Sequence, residues 1–281
     1  MSSCASNVQP AALRPRDFKS DLKPVWCPGC GDFGVLSAIT KALAALALPR
    51  EQVAFVSGIG CSSRIPAYCR VYGFHGVHGR ALPVATGLAV SRPDLTVLVA
   101  GGDGDGFSIG GNHFLHACRR NANITYLVMD NAVYGMTKGQ ASPTTEPDWS
   151  GSPLTPEGTG LAPFQPLEIA LSAGAPFIAR SFSGDPNGLA RLLAEGIEFP
   201  GFAFIQVLSP CVTYRPEQKA YKETVHPGFE PTSDRHEALR QLMDDDGLAS
   251  GLLYRAEVPA SRPHPAKTTD LETLEKRFRV A

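Results

Sequence analysis

No apolar run in this sequence approaches the roughly 18 residues needed to span a bilayer, the longest being short stretches such as Ala42 to Leu48. No membrane contact is expected. Met1 to Pro15 also lacks the apolar centre of a secretory signal, so a cytoplasmic setting is expected, in which thiols stay reduced. Charge is sparse and balanced: 19% of residues are charged and the formal net charge is -1, which gives a nucleic-acid polyanion no basic field to find. The 7 cysteines are odd in number and scattered over the chain, which argues against a disulfide framework and leaves metal, cluster or plain packing. A length of 281 residues corresponds to one large domain or two small ones.

Apolar, β-branched runs recur at Val53–Ser57, Leu95–Ala100, Ile124–Asp130, Phe177–Arg180 and Phe202–Leu208. Between them lie stretches with helical character: Val35–Leu48 before the first, then Ile65–Tyr72, Ala81–Val90, Phe114–Arg120, Pro166–Ala173 and Leu189–Gly196. This βαβ rhythm predicts an α/β fold, a mostly parallel sheet with helices on both faces. Asn131 to Pro163 interrupts it with closely spaced Gly, Ser, Thr and Pro, a segment too long for an ordinary connection. After Arg215 the composition changes, with 22 of 66 residues charged against 31 in residues 1–215. We therefore expect an N-terminal segment (1–23), a main domain (24–215) and a charged C-terminal arm (216–281). The low charge of the main domain suits a surface buried against a partner.

Gly101-Gly102-Asp103-Gly104-Asp105-Gly106 directly follows an expected strand, and Asn131 follows the next. In an open parallel sheet, ligands bind outside the strand C-termini, where glycines let backbone N–H groups approach a diphosphate at the start of a helix. The Asp103 carboxylate and the Asn131 amide oxygen are hard donors suited to Mg2+, which keeps phosphate oxygens as further ligands. Ordinary turn chemistry is the alternative for either motif alone, and the pairing at adjacent strand ends weakens it. Gly102-Asp103-Gly104 with Asn131 resembles the metal-diphosphate motif of thiamine diphosphate enzymes, which implies a third donor in the carbonyl of Val133.

A second constellation joins Cys27-Pro28-Gly29-Cys30, Cys61 and Cys211. Four thiolates suit an iron-sulfur cluster or a tetrahedral zinc, although a zinc ribbon would normally carry a second close Cys-x-x-Cys pair. Cys4, Cys69 and Cys118 are assigned to packing, the last two within expected helices. Gly29-Cys30-Gly31-Asp32-Phe33-Gly34 has dinucleotide-fingerprint spacing but follows no strand. Gly58-Ile59-Gly60-Cys61-Ser62-Ser63 follows one, yet lacks both the third glycine and a later acidic residue to hold a ribose. His113 and His116 share a helical face without a third ligand, so solvent exposure is expected.

Together these residues resemble the β subunits of the smaller, two-subunit 2-oxoacid:ferredoxin oxidoreductases, most closely those acting on 2-oxoglutarate. The resemblance covers residues 24 to 215, through Trp26-Cys27-Pro28-Gly29-Cys30-Gly31-Asp32, Ile59-Gly60-Cys61-Ser62, His78-Gly79-Arg80, the Gly-Asp-Gly and Asp130-Asn131. It continues through Tyr134-Gly135-Met136-Thr137-Lys138-Gly139-Gln140-Ala141-Ser142-Pro143-Thr144. Ala132 departs from it, standing where many relatives carry an acidic residue. The resemblance implies one 4Fe-4S cluster held by Cys27, Cys30, Cys61 and Cys211, and Mg2+ held by Asp103, Asn131 and Val133. It also implies thiamine diphosphate contacts from Gly60, Cys61, Ser62, His78, Gly102, Asp103, Gly104, Asp105, Asn131, Val133, Gly135, Met136 and Thr137.

Arg64, His78, Arg80 and Lys138 are candidate catalytic or substrate contacts, with ordinary surface or ion-pair duty as their alternative. The implied reaction converts a 2-oxoacid, coenzyme A and oxidised ferredoxin to an acyl-CoA, CO2 and reduced ferredoxin, with reversal as a CO2-fixing carboxylation. The carboxylate that thiamine chemistry needs on the aminopyrimidine would come from a separate α subunit, in an αβ heterodimer or (αβ)2 assembly. Pyruvate or broad specificity, a non-redox thiamine-dependent decarboxylase or synthase, and a zinc-stabilised binding module stand as alternatives.

Overall fold

The computed structural model describes residues 13–259 together with 272, 273 and 276; Cys4 lies outside the described residues. The strands described are β1 (Val53–Ser57), β2 (Tyr72–His75), β3 (Thr96–Gly102), β4 (Ile124–Asp130), β5 (Phe177–Phe182), β6 (Phe202–Leu208), β7 (His226–Pro227) and β8 (Ala249–Arg255). They form one sheet in the order β2-β1-β3-β4-β6-β5-β8-β7. Pairing is parallel from β2 through β5, whereas β8 joins β5 antiparallel. The helices are α1 (Asp32–Ala45), α2 (Ile65–Tyr68), α3 (Ala81–Ser91), α4 (Asp103–Phe107), α5 (Gly111–Arg120), α6 (Pro166–Ser172), α7 (Pro186–Glu198), α8 (Tyr221–Thr224) and α9 (Arg235–Met243).

The central strands are buried on both sides, and alternate residues feed two cores because successive side chains point to opposite faces. Ile124, Tyr126 and Val128 of β4 join Phe202 and Phe204 of β6 under α3, α5, α6 and α9. Leu127 and Met129, with Ala203, Ile205 and Val207, pack on the other face against α1 and α7. The start of α7 is fixed locally: Pro186 opens it and the Asp185 side chain accepts from the N–H groups of Asn187 and Gly188, at 3.2 and 2.9 Å. Among the described residues, no helix is long and apolar enough to cross a membrane.

Three differences from the sequence reading stand out. The expected helix Ile65–Tyr72 stops at Tyr68, so Cys69 lies beyond it in a bridge to Lys19, and Tyr72 begins the exposed edge strand β2. Leu95 precedes β3, which runs two residues further than expected and carries Gly101 and Gly102 before α4 begins at Asp103. The stretch after Arg215 supplies α9, β7 and β8 to the sheet and core, so the change in composition there marks no break in the fold.

That addition is tied in by a buried ion pair. Arg180 on β5 donates from Nη1 to Asp245 at 2.6 Å and to the Ala249 carbonyl at 3.1 Å, while its Nε donates to Gln206 at 2.9 Å. Both charged side chains are only 6% exposed. Removing one partner of a buried pair strands the other charge, so Asp245→Ala is expected to lower stability by about 3 kcal/mol or more. Asp94→Ala, which removes the exposed partner of Arg92, is expected to leave the unfolding midpoint nearly unchanged. Urea unfolding of the two variants checks the contrast.

Candidate active site

The parallel strands β1 to β6 deliver their C-termini to one edge of the sheet, where a cavity of about 470 Å3 opens. Its wall includes Gly60, Cys61, Ser62, His78, Gly102, Asp103, Gly104, Asp105, Asn131, Val133, Gly135, Met136 and Thr137. All of the residues expected to contact thiamine diphosphate therefore line one space. Ile59, Tyr134 and Gln140 complete the lining and carried no expected role. Glycine is required at two of these turns. A Cβ on Gly104 would sit 2.2 Å from the Tyr134 ring, and one on Gly58 would sit 2.0 Å from an Asp105 oxygen.

Asp103 begins α4, whose first-turn N–H groups have no intrahelical partners. Its carboxylate accepts from Ser142 Oγ and, at 3.1 Å, from Thr144 Oγ1. Thr144 Oγ1 also lies 2.7 Å from Asp130. A hydroxyl has one proton, so it cannot donate to two ionised carboxylates at once. Burial raises the pKa of Asp103, as does the negative charge of Asp130, and burial raises Asp130 in turn. The two carboxyls therefore oppose each other's ionisation, a cost that a cation placed here would relieve. The long segment from Asn131 to Pro163 thus folds back to supply Ser142 and Thr144, which the sequence reading had left without a role.

The turn after β4 carries the other expected donors. Ala132 is left-handed, with φ of +52°. The Asn131 side-chain oxygen accepts from the Val133 N–H at 3.2 Å, which holds it on the cavity side of the turn. An acidic side chain at position 132 is not needed to hold this turn, because the Ala132 carbonyl is gripped by Thr145 Oγ1 at 2.7 Å and by Arg215 Nη1 at 2.9 Å.

Asp105 is held differently. One of its oxygens accepts from the Ile59 N–H at 2.9 Å and the Gly79 N–H at 2.8 Å, and His78 Nδ1 lies 2.9 Å from the same atom. A carboxylate oxygen accepts, so Nδ1 carries a proton and donates it to Asp105, which fixes the ring at the cavity wall. Arg64, Arg80 and Lys138 do not line the cavity. Arg64 and Lys138 are exposed, and Arg80 donates to the carbonyls of Gly79 and Ile109 at 3.3 Å.

Beside the cavity, the four expected cysteines converge. Trp26 Nε1 donates to the Cys61 carbonyl at 2.8 Å, and the Gly31 N–H donates to the Pro210 carbonyl at 3.1 Å, which ties the Cys27–Cys30 turn to the other two loops. A Cβ on Gly135 would lie 3.8 Å from both the Cys61 and Cys211 sulfurs, so these two atoms face one point on the cavity wall. Burial pushes the Cys61 thiol up to about 11, and the negative charges of Asp32, Cys211 and Cys27 add to it. Burial also raises Cys30 and Cys211, which likewise sense Asp32 and the neighbouring thiols. Cys69 and Cys118, raised by burial alone, sense no such group. Metal centres bind thiolates, so thiols gathered this closely supply the donor chemistry that one needs.

His113 and His116 lie on α5 away from these loops. His116 is partly buried, and its Nδ1 is buried without a partner, so the expected exposure holds only in part. Among the described residues, no three His, Cys, Asp or Glu side chains close on a single ion.

Residues 58–207 match the family described as thiamine pyrophosphate enzyme, C-terminal TPP binding domain. The chain is 50% identical over 196 residues to the 2-oxoglutarate oxidoreductase subunit KorB of Mycobacterium tuberculosis, a match covering 70% of this chain and only about half (52%) of that relative. It is 42% identical over 254 residues to the 2-oxoacid:ferredoxin oxidoreductase 2 subunit beta of Aeropyrum pernix, covering 85% of this chain and 82% of the relative. A solved 2-oxoglutarate:ferredoxin oxidoreductase from Magnetococcus marinus, with 2-oxoglutarate, coenzyme A and succinyl-CoA bound, superposes with a TM-score of 0.85 at 40% identity, covering 95% of this chain and 91% of that one. The fold is that of a thiamine diphosphate enzyme. Within that class, the chain belongs to the β subunits of the 2-oxoacid:ferredoxin oxidoreductases, which implies an α partner.

The buried carboxyls give the cofactor-free chain a defined pH response. Burial raises Asp32 to about 6, against hydrogen bonds from Ser209 and Cys30 that lower it, and Asp103 and Asp130 are raised as well. The folded state then binds these protons more tightly than the unfolded chain, so the stabilisation is complete below about pH 4 and is lost as pH rises through the folded-state values. For Asp32 alone the change is on the order of 3 kcal/mol. Urea midpoints of the cofactor-free chain are expected to fall between pH 5 and pH 8; a flat or rising profile would contradict the assignment.

Proposed function

We propose that this chain, with an α subunit, catalyses the coenzyme A-dependent oxidative decarboxylation of 2-oxoglutarate to succinyl-CoA and CO2, passing electrons to ferredoxin. The observation that carries it is the shared wall between cavity and cysteines: Cys61 lines the cavity, and Gly135 meets both the cavity and the Cys61–Cys211 sulfur pair. A decarboxylase without electron transfer would have no use for thiols there. The identity of the substrate rests on the relatives, whose names include 2-oxoglutarate and one of which holds it with coenzyme A.

In this reading Asp103, Asn131 and the Val133 carbonyl would hold Mg2+ against the diphosphate, while Gly102 and Gly104 leave room for it. Cys27, Cys30, Cys61 and Cys211 would hold a 4Fe-4S cluster. Four thiols without a second close Cys-x-x-Cys pair suit an iron-sulfur centre better than a zinc ribbon. When bound, thiamine diphosphate supplies the nucleophilic carbon and electron sink for decarboxylation, and the cluster takes up electrons singly. His78, fixed by Asp105, can move a proton at Nε2 within the cavity. Asp105 already serves three donors through one oxygen, and buried Asp32 sits beside the cysteines, so neither is placed to serve the aminopyrimidine. That carboxylate is assigned to the α subunit in an αβ or (αβ)2 assembly. Arg64, Arg80 and Lys138, outside the cavity wall, would meet an anionic substrate only at the rim. A cytoplasmic location and reversal as a reductive carboxylation under a strong reductant complete the proposal.

Anaerobically purified αβ complex is expected to reduce a viologen with 2-oxoglutarate and coenzyme A at a kcat/KM at least tenfold above that for pyruvate. A preference for pyruvate would move the assignment within the family, and decarboxylation without acceptor reduction would overturn the redox role. The β chain alone is expected to oxidise neither acid, because the missing acid-base group is worth about 100-fold or more. Cys211→Ser is expected to lose cluster iron while Cys118→Ser keeps it, read by iron content and electron paramagnetic resonance.

A further inference from the structure

Gln218 and Arg215, from the segment that follows Cys211, connect two places that the reaction needs to keep in register. The Oε1 of Gln218 accepts from the Cys211 N–H at 3.0 Å, and its Nε2 donates to the Asn131 carbonyl at 2.8 Å. Arg215 makes a parallel link: its backbone N–H donates to the Cys211 carbonyl at 2.8 Å, and its Nη1 donates to the Ala132 carbonyl at 2.9 Å. Both side chains are buried, at 2% and 3% exposure. Arg215 is braced by Glu146 at 2.7 Å, by Glu217 at 2.5 Å and by the face of Trp149 at 4.8 Å. The two clamps therefore grip the main chain of a cluster-ligand candidate with one end and the left-handed Asn131–Ala132–Val133 turn with the other. A left-handed alanine persists only where its surroundings over-determine it, and these clamps, with Thr145, are those surroundings.

We infer that Gln218 and Arg215 are positioning residues that couple occupancy of the four-cysteine site to the affinity of the Asp103–Asn131 site for Mg2+ and thiamine diphosphate. With the Cys211 sulfur bound to metal, its peptide groups are fixed, both clamps are held, and Asn131 and Val133 stay oriented. With the sulfur free, the loop after β6 relaxes and takes the clamps with it. Linkage makes the effect reciprocal: the bound diphosphate-metal complex holds the cysteine loop by the same contacts. The inference rests on the assignment of the two sites proposed above.

Gln218→Glu is the sharpest probe, since it keeps the acceptor for the Cys211 N–H and, in its ionised form, offers the Asn131 carbonyl no donor. In the anaerobic αβ complex it is expected to keep its iron and to weaken Mg2+-thiamine diphosphate binding about tenfold, the effect typical of groups that orient a metal ligand. Cys211→Ser is expected to weaken binding as well, and the double variant to bind about as weakly as the weaker single variant, because one contact carries both effects. In the unaltered complex, saturating Mg2+-thiamine diphosphate is expected to slow iron release to a ferrous chelator at least fivefold, and in Gln218→Glu by less than twofold. Asn131→Ala separates the failures. If it binds the cofactor as tightly as the unaltered complex, the site assignment is wrong. If it binds weakly while Gln218→Glu stays within twofold, the losses multiply, or Gln218→Glu protects iron as well as the unaltered protein, the coupling is wrong and the assignment stands.

Discussion

Two carboxyl groups buried at the ends of neighbouring parallel strands set the terms for this site. Asp103 follows β3 and Asp130 ends β4, and Thr144 stands between them with one proton to give. Burial makes it costly for both to be charged without a cation. The hydroxyls of Ser142 and Thr144, the Asn131 amide and the glycines of the α4 turn are arranged around that fact. They gather oxygen donors at the cavity wall, which suits the proposed divalent ion and its phosphate ligands.

The same edge of the sheet explains why the cysteines come together from positions 27, 30, 61 and 211. Cys61 lies just past β1 and Cys211 just past β6, so strand direction brings both to one end, and Trp26 and Gly31 pin the Cys27–Cys30 turn against them. Gly135, with no side chain of its own, lies against both the sulfur pair and the cavity that Cys61 also lines. Thiols this close to the cavity are what the proposed oxidative role would use, since an electron acceptor held there would sit next to the chemistry that releases electrons. Gln218 and Arg215 extend the arrangement by linking the two loops through main-chain groups.

Much of this was legible in the sequence because it follows from strand order and local chemistry. Val53–Ser57, Ile124–Asp130 and Phe202–Leu208 are strands with the bounds that their apolar runs indicate, and Gly-Asp-Gly with Asn131 announces an oxygen-rich pocket at their ends. β2 was hidden because Tyr72-Gly73-Phe74-His75 is four exposed residues with a glycine. β8 was hidden because Ala249–Arg255 lacks β-branched residues and draws its stability from pairing with β5 and from the Arg180–Asp245 ion pair, neither of which is local. Ser142, Thr144, Arg215 and Gln218 carry no pattern of their own. Their roles depend on a thirty-residue loop folding back over the sheet and on a buried glutamine reaching across two strand ends, which spacing in sequence does not encode. Arg64, Arg80 and Lys138 show the converse: charge near a motif suggested contact, and none of the three lines the cavity.

The central claim is that one end of this sheet holds a metal-bound diphosphate and a thiolate-held iron centre, both close to Gly135. Diffraction from anaerobically grown crystals of the αβ complex with Mg2+ and thiamine diphosphate, recorded at the iron absorption edge, tests it most directly. The account predicts iron among Cys27, Cys30, Cys61 and Cys211 and the diphosphate against Asp103 and Asn131. Iron bound elsewhere, zinc in its place, or a diphosphate away from those two side chains would contradict it.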